Sequence, residues 1–153
     1  MHLRFIWVGK TKNDHLRGLV DDYLTRLRRF VRCEITELRE SKARGAVEGI
    51  EEESKRIIGA LRPSGTVVLL DIEGRQWSSP ALAGQIGKWQ QSGTKEVTFV
   101  LGGHNGVSIE VASRADMRWS LSRLTLTHEM ARVVVTEQLY RAYTIIHGLP
   151  YQK

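Results

Sequence analysis

The sequence contains one cysteine, three prolines and no long apolar run, and these shortages exclude whole classes of protein. Cys33 alone cannot form an intramolecular disulfide, which excludes the small disulfide-stabilised secreted folds. No segment approaches the roughly 20 consecutive apolar residues of a membrane-spanning helix. The opening MHLRFIWVGK lacks the basic start, apolar centre and cleavage site of a secretory signal. We therefore expect a cytoplasmic protein with no membrane partner.

Motifs for metal-dependent and covalent catalysis are missing as well. The five histidines show no ligand spacing, and the pair His128-Glu129 does not continue into the H-E-x-x-H pattern of zinc proteases. Neither a Ser-His-Asp triad nor a carboxylate pair can be assigned. We expect no bound metal, and we interpret Cys33 as a small core residue rather than a nucleophile.

Positive charge, in contrast, is in excess. The net charge is +6 and the pI is near 9.8. Residues 1–45 contain 11 Lys and Arg against 6 Asp and Glu, whereas residues 63–153 contain 9 against 7. Because cations attract phosphates whatever the base sequence, the first third is expected to face a polyanion, unless the protein is simply basic throughout. Arginines on the outer face of the first predicted helix would form a basic ridge: Arg17, Arg26, Arg28, Arg29 and Arg32.

Strand-like and helix-like segments alternate along the chain. Short apolar or alternating runs predict strands at 3–9, 33–38, 66–72, 96–101 and 118–122. Apolar residues at helical spacing predict helices near 14–31, 47–61, 79–93, 108–115 and 127–146, with Asn13 or Asp14, Ser79, Ser108 and Thr127 at their starts. This alternation is typical of an α/β fold with a mostly parallel sheet and helices on both faces, here in one domain over residues 1–153.

The last predicted helix is apolar nearly all round. Its apolar residues cover more than one face: Met130, Val133, Val134, Val135, Leu139, Ala142, Tyr143, Ile145 and Ile146. A helix of this kind needs burial on two sides, so we expect it to form a homodimer interface that includes Tyr143.

A glycine-rich loop, GGHNG at 102–106, follows the predicted buried strand EVTFVL. It matches neither G-x-G-x-x-G nor a phosphate-binding P-loop. Bare backbone at the carboxyl end of such a strand favours a ligand site, whereas a tight turn with positive φ is the structural alternative. The segments LLDIEG at 69–74 and SLSRLTLTH at 120–128 close two further strands, and three adjacent strand ends can surround one small molecule.

The chain resembles the RlmH-type ribosomal RNA methyltransferases of the SPOUT class. The similarity lies in FIWVGK, LLDIEGRQWSS, FVLGGHNG and the run from SLSRLTLTHEM to the end, and it spans nearly the whole sequence. It implies a C-terminal trefoil knot, a homodimer, and S-adenosyl-L-methionine as cofactor. The implied reaction methylates N3 of a pseudouridine in the helix-69 loop of 23S rRNA within the ribosome.

The resemblance also implies site residues. The implied cofactor-binding residues are Leu70, Gly102, Gly103, Leu121, Ser122, Arg123, Leu124, Thr125 and Leu126. The imide N3–H must lose its proton around the time of methyl transfer, which requires a proton acceptor. Candidates are Tyr151 and Lys153 in the tail, with Arg141 orienting the base; Arg141 paired with a carboxylate across a dimer is the structural alternative.

The tail PYQK departs from the family pattern, which has histidine where this chain has Gln152. Gly148 and Pro150 end the last helix, so an extended or disordered tail is one expectation and a tail that reaches a dimer partner's active site is the other. Two other functions fit the fold: a ribosome-associated RNA-binding protein without activity, and an α/β enzyme for another cofactor such as a nucleotide. Neither predicts binding of S-adenosyl-L-methionine.

Overall fold

The computed structural model describes residues 1–151. Five strands and five helices alternate strictly along them, as the sequence predicts. The strands are β1 (His2–Val8), β2 (Arg32–Leu38), β3 (Thr66–Gln76), β4 (Glu96–Leu101) and β5 (Met117–Ser120). The helices are α1 (Asp14–Leu27), α2 (Ala46–Ala60), α3 (Ser79–Gln91), α4 (Ile109–Arg114) and α5 (His128–Ile146).

The strands form one parallel sheet in the order β2-β1-β4-β3-β5. All six residues of the central strand β4 are buried, including the polar Glu96 and Thr98, which confirms the prediction of a buried strand. Because every strand runs in the same direction, all five carboxyl ends meet at one edge, which we call the carboxyl edge. The opposite edge, where the strands begin, is the amino edge.

Helices cover both faces of the sheet, which confirms the predicted fold class. On one face α5 packs between α1 and α3 over a core that includes Phe5, Phe99 and Leu139. On the other face α2 and α4 cover a smaller core around Ile6, Ile57 and Val100. The trefoil knot stays a prediction.

Helix α1 ends earlier than its apolar spacing predicts. Its last turn tightens, since the amides of Arg29 and Phe30 donate to Arg26 and Leu27 carbonyls three residues back. The chain then reverses so that β2 can lie parallel to β1, and Val31 is buried within this turn rather than on a helix. Three arginines of the predicted ridge therefore lie beyond the helix, at the amino edge: Arg28, Arg29 and Arg32.

Strand β3 is longer than predicted, because the segment EGRQ rejoins the sheet instead of turning away. Its pairing with β5 is interrupted between Leu70 and Arg75, so residues 71–74 bulge at the carboxyl edge. A Cβ on Gly74 would lie 2.7 Å from the backbone of Arg118 and Trp119, a distance that only glycine tolerates. The predicted cap of α3 also shifts by one residue: the Ser78 hydroxyl accepts from the amide of Ala81.

The apolar faces of α5 are buried within the chain itself. Val135, Leu139 and Tyr143 are 1% exposed or less, because α1 and α3 pack on either side of the helix. Placing Tyr143 at a subunit interface was therefore wrong; it is a core residue. Met130 remains exposed and Val134 is half-buried on the outer face, so a dimer formed through this face stays a prediction.

Candidate functional site

A groove of about 920 Å³ opens at the carboxyl edge, between the ends of β3 and β4 and the start of α5. Its walls include Leu70, Gly102, Gly103, Thr125 and Leu126, which were all predicted to bind cofactor. The predicted grouping of three strand ends around one cavity is therefore present in the structure.

A smaller cavity of about 210 Å³ adjoins this groove and shares Leu70, Thr125 and Leu126 with it. Leu121, Ser122 and Leu124, also predicted to bind cofactor, line this smaller cavity as well. The Ser122 hydroxyl accepts from the amide of Leu124 at 2.9 Å, and this turn folds the segment around the cavity.

Arg123 is the one predicted cofactor residue that the structure separates from both cavities. It lines a neighbouring depression together with Glu73 and Gln76. Arg123 is exposed and lines neither cavity, although the residues on either side of it, Ser122 and Leu124, line the smaller one.

The glycine loop forms the tight turn that the sequence offered as the structural alternative, and it also lines the groove, while a bound ligand there stays a prediction. The amide of Gly106 donates to the Gly103 carbonyl at 3.0 Å, and Gly106 has a φ of +87°, so a tight turn is present. A Cβ on Gly102 would lie 2.7 Å from Cγ1 of Val107. Glycine is required at 102 because the loop packs closely on itself, and the same bare backbone lines the groove.

Two residues of α5 hold the adjacent β1–α1 loop in place. Glu129 accepts from the amide of Asn13 at 3.0 Å, and this bond lowers the pKa of the Glu129 carboxyl. Arg132 is fully buried, donates to the Val8 carbonyl at 2.6 Å and to the Thr11 hydroxyl at 2.9 Å, and burial lowers its pKa.

Sequence reasoning missed Arg132. The sequence did contain an indication of this buried position, because Arg132 is the single charged residue in the stretch MARVVVT at 130–136. A buried guanidinium needs hydrogen-bond acceptors, and the carboxyl end of β1 supplies one through the Val8 carbonyl.

Two of the three predicted catalytic residues, Arg141 and Tyr151, form a compact cluster around Glu137, on the outer side of α5. The Tyr151 hydroxyl donates to Glu137 Oε1 at 2.9 Å, and Arg141 donates to the same oxygen at 2.6 Å through one nitrogen and 3.1 Å through another. The Arg141 guanidinium also lies over the Tyr151 ring, 4.8 Å from its centroid. Burial and hydrogen bonds to Tyr23 and Glu137 raise the pKa of Tyr151, so this hydroxyl keeps its proton.

The contacts in this cluster differ from the predicted partner of Arg141 and from the predicted position of Tyr151. Arg141 pairs with a carboxylate of its own helix, whereas the alternative interpretation had placed the partner across a dimer. Tyr151 is half-buried against Tyr140 instead of extending into solvent. Glu137, four residues before Arg141, was missed, although this i, i+4 spacing predicts an ion pair on a helix. Gln152 and Lys153 lie outside the described residues.

The groove lies at the start of α5, and the cluster lies in the middle and second half of the helix. Glu137 and Arg141 follow Met130, at the groove end, by seven and eleven residues, which corresponds to about 10 and 16 Å along the helix axis. Within the described part of one chain, the predicted cofactor residues that line the groove are therefore not brought together with Arg141 and Tyr151.

Residues 1–151 contain no group of three or more His, Cys, Asp or Glu side chains placed to hold a metal ion. Over the same residues, no helix has both the length and the apolar character needed to cross a membrane.

Comparison with known sequences gives relatives over the full chain. Ribosomal RNA large subunit methyltransferase H of Geobacter metallireducens is 42% identical over 151 residues, which cover 99% of this chain and 98% of the relative. The protein of the same name from Anaeromyxobacter sp. is 38% identical over 154 residues and covers both chains completely.

Comparison with solved structures gives the same fold at low identity. A tRNA (m1G37) methyltransferase from Aquifex aeolicus superimposes with a TM-score of 0.55 at 16% identity, over 92% of this chain and 70% of that chain. A probable methylase family protein from Haemophilus influenzae gives a TM-score of 0.57 at 10% identity, over 99% and 70%. A family model described as "Predicted SPOUT methyltransferase" matches residues 1–152. The chain belongs to the SPOUT methyltransferase family.

Proposed function

We propose that this protein methylates N3 of a pseudouridine in the helix-69 loop of 23S rRNA, with S-adenosyl-L-methionine as methyl donor and the assembled ribosome as substrate. The observation that carries the proposal is the groove at the carboxyl edge, present in a chain 42% identical to a ribosomal RNA large subunit methyltransferase H. A ribosomal substrate implies a cytoplasmic location.

The groove suits this methyl donor in size and lining. Its volume lies within the range of pockets that enclose small ligands, roughly 300–1,000 Å³. Leu70 and Leu126 offer apolar contact to an adenosine group, Asp71 and Asn13 offer polar partners, and Gly102 leaves backbone accessible. When bound, S-adenosyl-L-methionine supplies a methyl group on a positively charged sulfur, and transfer to nitrogen leaves that sulfur neutral.

The target nitrogen must give up its proton as the methyl group arrives. We assign this task to the cluster of Glu137, Arg141 and Tyr151. The Tyr151 oxygen accepts the N3 proton while its own proton passes along the existing hydrogen bond to Glu137. Arg141, which already donates to Glu137, stabilises the negative charge that develops on the base.

This assignment requires a second copy of the chain, because the cluster is about 10 to 16 Å along α5 from the groove of its own protomer. A homodimer in which two α5 helices pack antiparallel through their outer faces brings the cluster of each protomer towards the groove of its partner. Met130 and Val134 form the apolar part of that outer face.

The discriminating experiment measures transfer of a labelled methyl group to assembled ribosomes and to free 23S rRNA, alongside calorimetric binding of S-adenosyl-L-methionine. We expect tight binding and transfer to ribosomes that exceeds transfer to free RNA. Binding without transfer to either substrate would support an RNA-binding protein without activity. Absence of binding would support a different cofactor.

A further inference from the structure

Two neighbouring loops place positive charge at the carboxyl edge. The β1–α1 loop, residues 9–13, and the β2–α2 loop, residues 39–45, lie side by side because β1 and β2 are adjacent and parallel. The amide of Gly9 donates to the Leu38 carbonyl at 2.6 Å, which fixes the two loop starts together. We call residues 9–13 and 39–45 the edge loops.

The edge loops carry five cations and one carboxylate, a net charge of +4. The cations are Lys10, Lys12, Arg39, Lys42 and Arg44. Lys12 lies 3.4 Å from the single carboxylate, Glu40. Lys10, Lys42 and Arg44 are exposed, and among residues 1–151 no carboxylate oxygen lies within 4.0 Å of their charged nitrogens. The charge of these three is therefore available to an external anion.

The β2–α2 loop is held in a defined position beside the glycine loop. Glu53 of α2 accepts from the amide of Ser41 at 2.9 Å, and its other oxygen lies 2.6 Å from the position a Cβ would occupy on Gly103. One carboxylate thus contacts both the β2–α2 loop and the groove wall. The Arg39 carbonyl accepts a second bond from Arg56, at 2.8 Å.

The surface of helix α1 has less positive charge available to an external anion than the edge loops have. Arg17 lies 2.5 Å from Asp14, and Arg26 lies 2.9 Å from Asp22, so each already has an anionic partner. Strand β1 has seven residues, which puts the amino edge about 20 Å from the groove. Arg28, Arg29 and Arg32 lie at that far edge.

We propose that the edge loops bind the phosphates of the rRNA strand that flanks the target nucleotide, with Lys10, Lys42 and Arg44 as the contacting residues. The inference rests on the proposed function and adds the surface that docks the RNA. Phosphate attraction is independent of base sequence, so the edge loops supply affinity and orientation while the groove and the Glu137 cluster supply the chemistry.

The test compares two triple variants with the same change in net charge. The first is Lys10→Gln, Lys42→Gln and Arg44→Gln. The control is Lys88→Gln, Lys95→Gln and Arg114→Gln, which removes two lysines and one arginine that are exposed near the amino edge. Affinity for ribosomes is measured between 50 and 300 mM salt, and affinity for S-adenosyl-L-methionine is measured in parallel.

We expect the first triple variant to bind ribosomes roughly 10- to 100-fold more weakly, with a salt slope shallower by about two to three, since each lost phosphate contact removes about 0.7–0.9 from the slope. Cofactor affinity should stay unchanged in both variants. Two results would overturn the inference, provided that the wild-type protein methylates ribosomes. One is an equal loss of ribosome affinity in the control variant, and the other is an unchanged salt slope in the first variant. If the wild-type protein itself transfers no methyl group to ribosomes, the proposed function has failed instead.

Discussion

The hydroxyl of Tyr151 donates a hydrogen bond of 2.9 Å to a carboxylate of the preceding helix, Glu137. The last aromatic side chain of the described chain is thereby tied back to α5, and the carboxylate has Arg141 as a second donor. A phenol held in this way is a poor base alone but can pass a proton on to its acceptor.

The substitution Tyr151→Phe removes the hydroxyl that would pass the proton to Glu137 and keeps the aromatic ring. We expect methyl transfer to ribosomes to fall by about 10²- to 10⁴-fold, the scale of losing one positioned proton-transfer group, with unchanged affinity for S-adenosyl-L-methionine. The measurement is single-turnover transfer at saturating cofactor.

Tyr143→Phe is the matched control, because the Tyr143 hydroxyl is buried and has no hydrogen-bond partner within residues 1–151. Full activity in Tyr151→Phe would show that the Tyr151 hydroxyl takes no part in proton transfer. Gln152→His gives a further comparison: a large gain in rate would show that position 152, and not Tyr151, limits proton transfer.

Thr125→Arg should block the groove. Thr125 is exposed and lines both cavities, so a long cationic side chain fills the space without disturbing the core and repels a sulfonium cation. We expect calorimetry to show at least about a tenfold loss of cofactor affinity, which corresponds to about 1.4 kcal/mol.

Gln91→Arg, exposed at the end of α3, adds the same charge at the amino edge and should bind cofactor normally. Undiminished affinity in Thr125→Arg would place the cofactor elsewhere. A Gly102→Val substitution is less informative, because its side chain would collide with Val107 and alter the loop itself.

Val134→Glu should separate the proposed dimer. Val134 is half-buried on the outer face of α5, one turn after Met130, and a carboxylate there would be desolvated in an antiparallel helix pair. Sedimentation at micromolar concentration should show a dimer for the wild-type protein and a monomer for this variant.

The control for that experiment is Val47→Glu, on α2 across the sheet, which should remain dimeric. A wild-type protein that sediments as a monomer would contradict the shared active site.

The bond between Asn13 and Glu129 gives a pH dependence of defined sign. The Asn13 amide lowers the pKa of Glu129 in the folded protein, so this bond stabilises the fold above the unfolded glutamate pKa of about 4.3. The contribution is lost as the pH falls below that value through the lowered folded pKa. Urea unfolding between pH 7 and pH 3 should therefore show a steeper loss of stability for wild-type protein than for Glu129→Gln. Identical slopes would show that the bond contributes nothing in solution.

Local sequence patterns predicted the elements because their causes are local. Asn13 and Thr127 cap α1 and α5 with the hydrogen bonds that their side chains favour, and β4, predicted as a buried strand, is buried at every residue. The groove was also predictable, since parallel strands must end at one edge.

The parts that the sequence did not predict depend on tertiary packing. Arg28 leaves the helix because β2 must return beside β1, and Tyr143 is buried because α1 and α3 enclose α5 on both sides. The acceptor for Tyr151 became evident only when the tail was found folded back on Glu137, a contact across 14 residues.

The proposed function depends above all on which atom of the RNA is methylated. Ribosomes lacking the modification should be incubated with the protein and methyl-labelled S-adenosyl-L-methionine, and the 23S rRNA digested and mapped by mass spectrometry. We expect label on one pseudouridine of the helix-69 loop, at N3. Label on another nucleotide, on another atom of that base, or on no RNA at all would contradict it.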